Sequence, residues 1–287
     1  MRNDKIIAIF LILSLLLMSS IGVFYNQIIV SGVINNVYGD EVEMFGRGIY
    51  AYESVLKGII YVGTDGAILL TIIPTIIYLK FINKNHTLFN QLTLIALGFI
   101  TAYYSSTLAF GAMMNRLFII YITALSLSIF FLIFEISNIK QFEPDKLFRQ
   151  INITKGMYVF LVVFAASTMI WMFEITNAFL HNRPSDIIGF QATEISFVLD
   201  LAIIMPLTIY AIIQLKRKQS IGIIMSICIF VFAIYLGFVV VGQSIAQIVF
   251  EYQLNSFEMI IYIMPFILIS IISTYFARNI QKQLKSL

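Results

Sequence analysis

Apolar residues run along this chain in blocks of about 20 or more, separated by short polar breaks. That is the length a helix needs to cross about 30 Å of hydrocarbon. Lipid offers no partner to a backbone amide, so such blocks read as helices that satisfy their own hydrogen bonds. The runs predict spans near 6–30, 57–79, 88–111, 117–138, 156–180, 194–215, 220–242 and 257–277. The predicted fold is all-α: a polytopic transmembrane bundle of about eight helices, forming one integral membrane domain over 1–287. The first run admits a second reading, because residues 2–5 are polar, 6–18 apolar, and Ser19, Ser20 and Gly22 follow, as in a secretory signal. The apolar stretch continues to Val30, which is long for such a signal and suits a retained span.

Composition sharpens the membrane reading. The chain is 60% hydrophobic and 11% charged, with a mean hydropathy of +0.94, whereas a soluble domain carries roughly a quarter charged residues. Net charge is +3 and spread over the loops, which gives a nucleic-acid partner no support. Cys228 is the single cysteine, so no internal disulfide or cysteine-based metal site can form. His86 and His181 fall in predicted loops on opposite sides, and neither a metal nor another cofactor is expected.

Basic residues orient the spans. Arg2, Lys5, Lys80, Lys84, Lys140, Lys146, Arg149, Lys155, Lys216, Arg217, Lys218, Arg278, Lys282 and Lys285 fall on one side. Arg47, Lys57, Arg116 and Arg183 fall on the other, which accounts for all 18. The positive-inside rule then places both termini in the cytoplasm of a bacterial-type cell membrane, as an even number of spans requires. The longest outer loop, residues 31–56, is acidic and aromatic. It reads either as an ordered cap over the helix ends or as a short amphipathic helix on the membrane surface.

A basic loop with Pro144 falls at the midpoint, and the two halves echo each other. Pro74-Thr-Ile-Ile-Tyr78 in the second span matches Pro206-Leu-Thr-Ile-Tyr210 in the sixth, and Ile-Ile-Tyr-Ile recurs at 119–122 and 260–263. Four spans per half would make a 4+4 repeat of like orientation.

The candidate functional residues are acids inside the spans: Asp65, Glu174 and Asp200. Each lies six to eight residues from the outer end of its run, about 9–12 Å deep at 1.5 Å per residue. A carboxylate there must be protonated, paired or turned to water, because lipid solvates it poorly. One reading makes the three acids the lining of an outward-open, proton-coupling pocket. The other pairs them with Arg47, Lys57, Arg116 or Arg183 as locks of the bundle. Pro74 and Pro206 are expected helix kinks that free the carbonyls of Leu70 and Ala202. Gly63 and Gly66 flank Asp65 at a spacing that admits a neighbouring helix closely. Gln243, Ser244 and Gln247 are expected to begin the last outer loop.

The segments Gly48-Ile-Tyr50-Ala-Tyr52-Glu53-Ser54, Gly63-Thr-Asp65 with Pro74, and Leu199-Asp200-Leu201 with Pro206 resemble a pattern in predicted bacterial multi-span membrane proteins. The resemblance implies no activity and singles out Asp65 and Asp200. Nucleotide-binding loops, zinc-protease motifs and serine-nucleophile elbows are absent, and no catalytic residue is assigned. Two classes of function remain. One is a transporter or ion-coupled permease with an outward-facing acidic pocket. The other is a non-catalytic membrane subunit or immunity-type partner, with a protein partner or a homo-oligomer embedded in the lipid bilayer.

Overall fold

A computed structural model of the chain describes residues 2–142, 151–252 and 263–285. Eight helical rods occupy these residues: α1 (Arg2–Phe24), α2 (Val55–Ile82), α3 (Leu88–Gly111), α4 (Phe118–Asn138), α5 (Lys155–His181), α6 (Ile195–Lys216), α7 (Ser220–Val249) and α8 (Met264–Lys285). All but α8 are long and apolar enough to cross a membrane. The chain is a multi-span, all-α membrane protein. Part of the eighth predicted span, over 257–262, lies outside the described residues, as does Pro144.

Most spans begin and end close to the predicted positions; the eighth helix runs on to Lys285 rather than ending near 277, and the first and seventh also depart. The first helix stops at Phe24 rather than near residue 30. Beyond it Ile28 bridges Arg47, and strand β1 (Val33–Asn35) pairs antiparallel with β2 (Glu41–Glu43). The segment between the first two helices is therefore a small hairpin cap and not an amphipathic helix. Gly46 and Gly48, both at positive φ, let the returning strand approach so closely that a Cβ at either would strike a backbone carbonyl of residue 30 or 25. The seventh helix runs on to Val249. Gln243, Ser244 and Gln247 consequently sit on a helix and not in a loop.

The core shows what the apolar runs are for. Leu11, Leu15 and Met18 of α1, Ile68 and Ile72 of α2, Leu92 and Leu108 of α3, and Phe230 of α7 are fully buried. Leu70, Phe110, Ile119 and Phe179 are turned outward and exposed, as side chains meeting lipid tails should be. At the end that carries the termini, Lys80 bridges Asp4 at 3.0 Å and Glu135 at 2.5 Å, and the Gln91 amide donates to Glu135 Oε2 at 2.9 Å. One buried cluster thus ties together α1, α2, α3 and α4.

Packing order repeats between the halves. α1 packs on α2 as α5 packs on α6, and α3 on α4 as α7 on α8. α2 lies against α7 as the start of α6 lies against α3, with α3 and α7 meeting in the middle. This is the order that two four-helix repeats of like orientation produce around an axis along the membrane normal. The match is incomplete: α1 packs along α4 whereas α5 barely touches α8, α6 also packs along α7, and α2 has no comparable packing on α3. Both marked prolines follow a π-helical turn, Ile68–Ile72 before Pro74 and Asp200–Ile204 before Pro206. The wide turn absorbs the hydrogen bond the proline cannot make.

Of the two glycines beside Asp65, only Gly63 is a contact residue. A Cβ there would lie 2.6 Å from the Gly242 carbonyl oxygen on α7, whereas one at Gly66 would meet nothing within 4 Å. Gly63→Ala should therefore lower the thermal unfolding midpoint of the purified protein, with a cost of about 1–3 kcal/mol from overpacking. Gly66→Ala should leave the midpoint unchanged or raise it. Equal loss in both would contradict the α2–α7 contact.

Candidate functional site

Asp65 is completely buried where α1, α2 and α3 meet the outer cap. Tyr50, in the short 3-10 turn Gly48–Tyr50, donates its hydroxyl to Asp65 Oδ2 at 2.8 Å, and the Tyr104 hydroxyl donates to Oδ1. A Cβ on Gly22 would fall 1.6 Å from Asp65 Oδ2, so the bare backbone of α1 forms the third wall. Two of the sequence segments marked earlier meet here: the Gly48–Tyr50 turn delivers the hydroxyl that the acid of Gly63-Thr-Asp65 accepts. Asp65 is closed off from any pocket.

Asp200 lies at the first residue of the π-helical turn in α6, half-buried on the wall of a cavity of about 650 Å³. Tyr103 of α3 donates to its Oδ1 at 2.9 Å, and the Trp171 indole of α5 donates to its Oδ2 at 2.6 Å. Trp171 is itself stacked on Phe197, ring centroids 4.9 Å apart. α5 turns at Thr168 and Met169, and none of its residues beyond that turn, Ile170–His181, is buried. The outer half of α5 thus forms one cavity wall with a lipid-facing back. His181, Arg183, Pro184 and Ser185 rim the mouth at the cap end, and Thr64, Thr107, Gln243, Ser244 and Gln247 face the space from α2, α3 and α7. Toward the termini the space ends on Phe164 and Phe232, backed by Phe160, Phe230 and Phe276 in edge and tilted contacts of 5.3–6.4 Å.

The expected trio of acids is therefore divided. Asp200 and Glu174 line one cavity, with Glu174 accepting from the Ser185 hydroxyl at 3.0 Å, while Asp65 sits behind Tyr104, whose ring belongs to the cavity wall. The expected charge partners are also reassigned. Lys57 pairs with Glu194, both buried, and Arg183 lies 4.0 Å from Asp40 at the exposed cap. Arg47 and Arg116 are exposed. None of these four reaches Asp65 or Asp200, because hydroxyl and indole donors already occupy the acids.

Sequence reading assigned no role to Glu53, in the predicted loop 31–56, or to Glu194, the first residue of the predicted sixth span, and both look solvated there. In the structure Glu53 is buried, its Oε1 accepting from the Met113 amide at 2.5 Å and its Oε2 from Gln191 at 3.4 Å. It joins the cap to the α3–α4 and α5–α6 loops. Gln191 also donates to the Tyr61 hydroxyl at 3.0 Å and keeps a buried Oε1 without a partner. Burial pushes the Glu53 carboxyl up to about 7, against the opposing pull of the Met113 amide and Lys57. The tyrosines and Trp171 that hold the acids carried no charge signal; Glu135 did, as a further acid within a predicted span.

Compared with family models, curated proteins and solved structures, the chain matches none.

Two measurements test this geometry. Glu53 has a folded-state value above its ordinary 4.5, so folding favours its protonated form, and its contribution is lost as pH rises from about 4.5 to about 7. Glu53→Gln should flatten that part of the stability–pH curve, gaining at most about 3 kcal/mol above neutral pH. Lys57→Met should cost about 3–5 kcal/mol by stranding the Glu194 charge, and adding Glu194→Gln should recover most of the loss. Additive losses in thermal or denaturant unfolding would contradict the pair.

Proposed function

We propose that this protein is an ion-coupled permease of a bacterial cytoplasmic membrane, with its ligand cavity open to the outer face. The supporting observation is Asp200, a carboxylate on the wall of a roughly 650 Å³ cavity, held by neutral donors and by no basic side chain. Glu135 and Glu194 are neutralised by lysines, whereas Asp200 keeps its charge uncompensated on the cavity wall. Orientation follows from the fourteen-to-four distribution of basic residues, which puts the termini and the Phe160–Phe164–Phe230–Phe276 plug on the cytoplasmic side. The plug is the inner barrier and the cavity mouth the outer opening.

The repeated packing supports the same reading, since transporter folds built from like-oriented halves hold their ligand between them and rock about it. Here the cavity draws walls from both halves: α2 and α3 from the first, α5, α6, α7 and α8 from the second. Tyr104 faces the cavity while its hydroxyl bonds Asp65, which makes Asp65 the candidate for the coupled proton and Asp200 the candidate ligand carboxylate.

The two acids should fail differently. Asp200→Asn should abolish ligand binding and uptake while leaving folded protein in the membrane. Asp65→Asn should retain binding within about threefold, roughly 0.6 kcal/mol, and lose the dependence of uptake on a pH gradient. Full gradient-driven uptake by the double variant would sink the permease reading.

A further inference from the structure

We propose that the cavity takes an organic cation with an apolar body, its charged group seated between the Asp200 carboxylate and the Trp171 ring. This rests on the cavity being the ligand site of a permease and adds the class of ligand.

Charge comes first. Asp200 spends one acceptor position of each oxygen on a neutral donor, Tyr103 at 2.9 Å and Trp171 at 2.6 Å. A carboxylate has about four such positions, so each oxygen keeps one for a ligand. Glu174 adds a second acid on the same wall. Lys57, which also lines the cavity, is matched by Glu194, and Arg183 stands at the exposed rim by Asp40. Among the described residues an anion would therefore meet carboxylates with no uncommitted interior cation. An inorganic divalent ion fits poorly too, because among the described residues no three histidine, cysteine or acidic side chains converge.

The walls select the rest of the ligand. Trp171 is pinned by stacking on Phe197 and by its bond to Asp200, so ring and carboxylate present a fixed pair to a cation. Attraction of a desolvated cation to a tryptophan face adds to the carboxylate's pull. Phe164 and Phe232 at the floor offer apolar surface. A cavity of about 650 Å³ lies within the range that encloses drug-sized molecules.

Trp171 is the single tryptophan of the chain, so intrinsic fluorescence reports on this cavity. The experiment titrates the purified full-length protein with tetraphenylphosphonium and with tetraphenylborate, which share a shape and differ in charge sign. Saturable change in Trp171 emission is expected with the phosphonium, at an affinity at least about tenfold above that for the borate. Asp200→Asn should erase that preference, and Glu174→Gln should reduce it. Equal or tighter borate binding, no saturation with either ion, or an unchanged preference in Asp200→Asn would overturn the proposal. The comparison between ions in the unaltered protein needs no variant to fold. Saturable phosphonium binding without uptake into proteoliposomes would keep this site and refute the permease. Driven uptake of anions with no phosphonium binding would do the reverse.

Discussion

A carboxylate cannot be left facing hydrocarbon, and most of this architecture follows from how four of them are satisfied. They receive donors of two classes. Lys80 and the Gln91 amide serve Glu135, and Lys57 serves Glu194. Two tyrosine hydroxyls serve Asp65; a tyrosine and an indole serve Asp200. The lysine pairs neutralise charge where helices must be locked together. The aromatic donors orient a carboxylate without cancelling it, and they occur beside the cavity. The Lys57–Glu194 pair lines the cavity as Asp200 does, so a neutralised carboxylate and an uncompensated one share its wall.

The bond from Tyr50 to Asp65 accounts for the hairpin cap. Tyr50 can reach Asp65 only if the chain leaves α1 at Phe24, turns through the hairpin, and comes back closely enough for Gly48 to lie on residue 25. Glu53 then fastens the returning segment to two further loops through Met113 and Gln191. By contrast the outer half of α5 is held on the cavity side by Trp171 on Asp200 and Phe197, with no buried residue along it. The wall with no buried residue is the one that carries Trp171.

Much of the fold was legible because lipid makes the period and length of apolar runs nearly decisive: the third span fell on 88–111 as read, and the helix at Leu88–Gly111 agrees. Polar segments were harder. Gln243, Ser244 and Gln247 look like the start of a loop, yet a helix wall turned to a cavity solvates them just as water would. Asp65 and Asp200 stood out as acids within spans, but their partners did not, since a tyrosine in an apolar run gives no sign of where its hydroxyl points. The pairing of Lys57 with Glu194 spans 137 positions and depends on tertiary packing that no local pattern encodes.

The central claim is a water-accessible cavity that opens on the outer face and is sealed on the cytoplasmic one. Cysteine accessibility tests it most directly. In a Cys228→Ala background, single cysteines at Thr107, Ser244 and the deeper Ser167 line the space, while one at Ser128 is buried away from it. A membrane-impermeant maleimide applied to intact cells should label the first three and spare Ser128→Cys, and in inverted vesicles it should label none. Labelling of Thr107→Cys and Ser244→Cys only from the cytoplasmic side, or from neither side, would contradict the account.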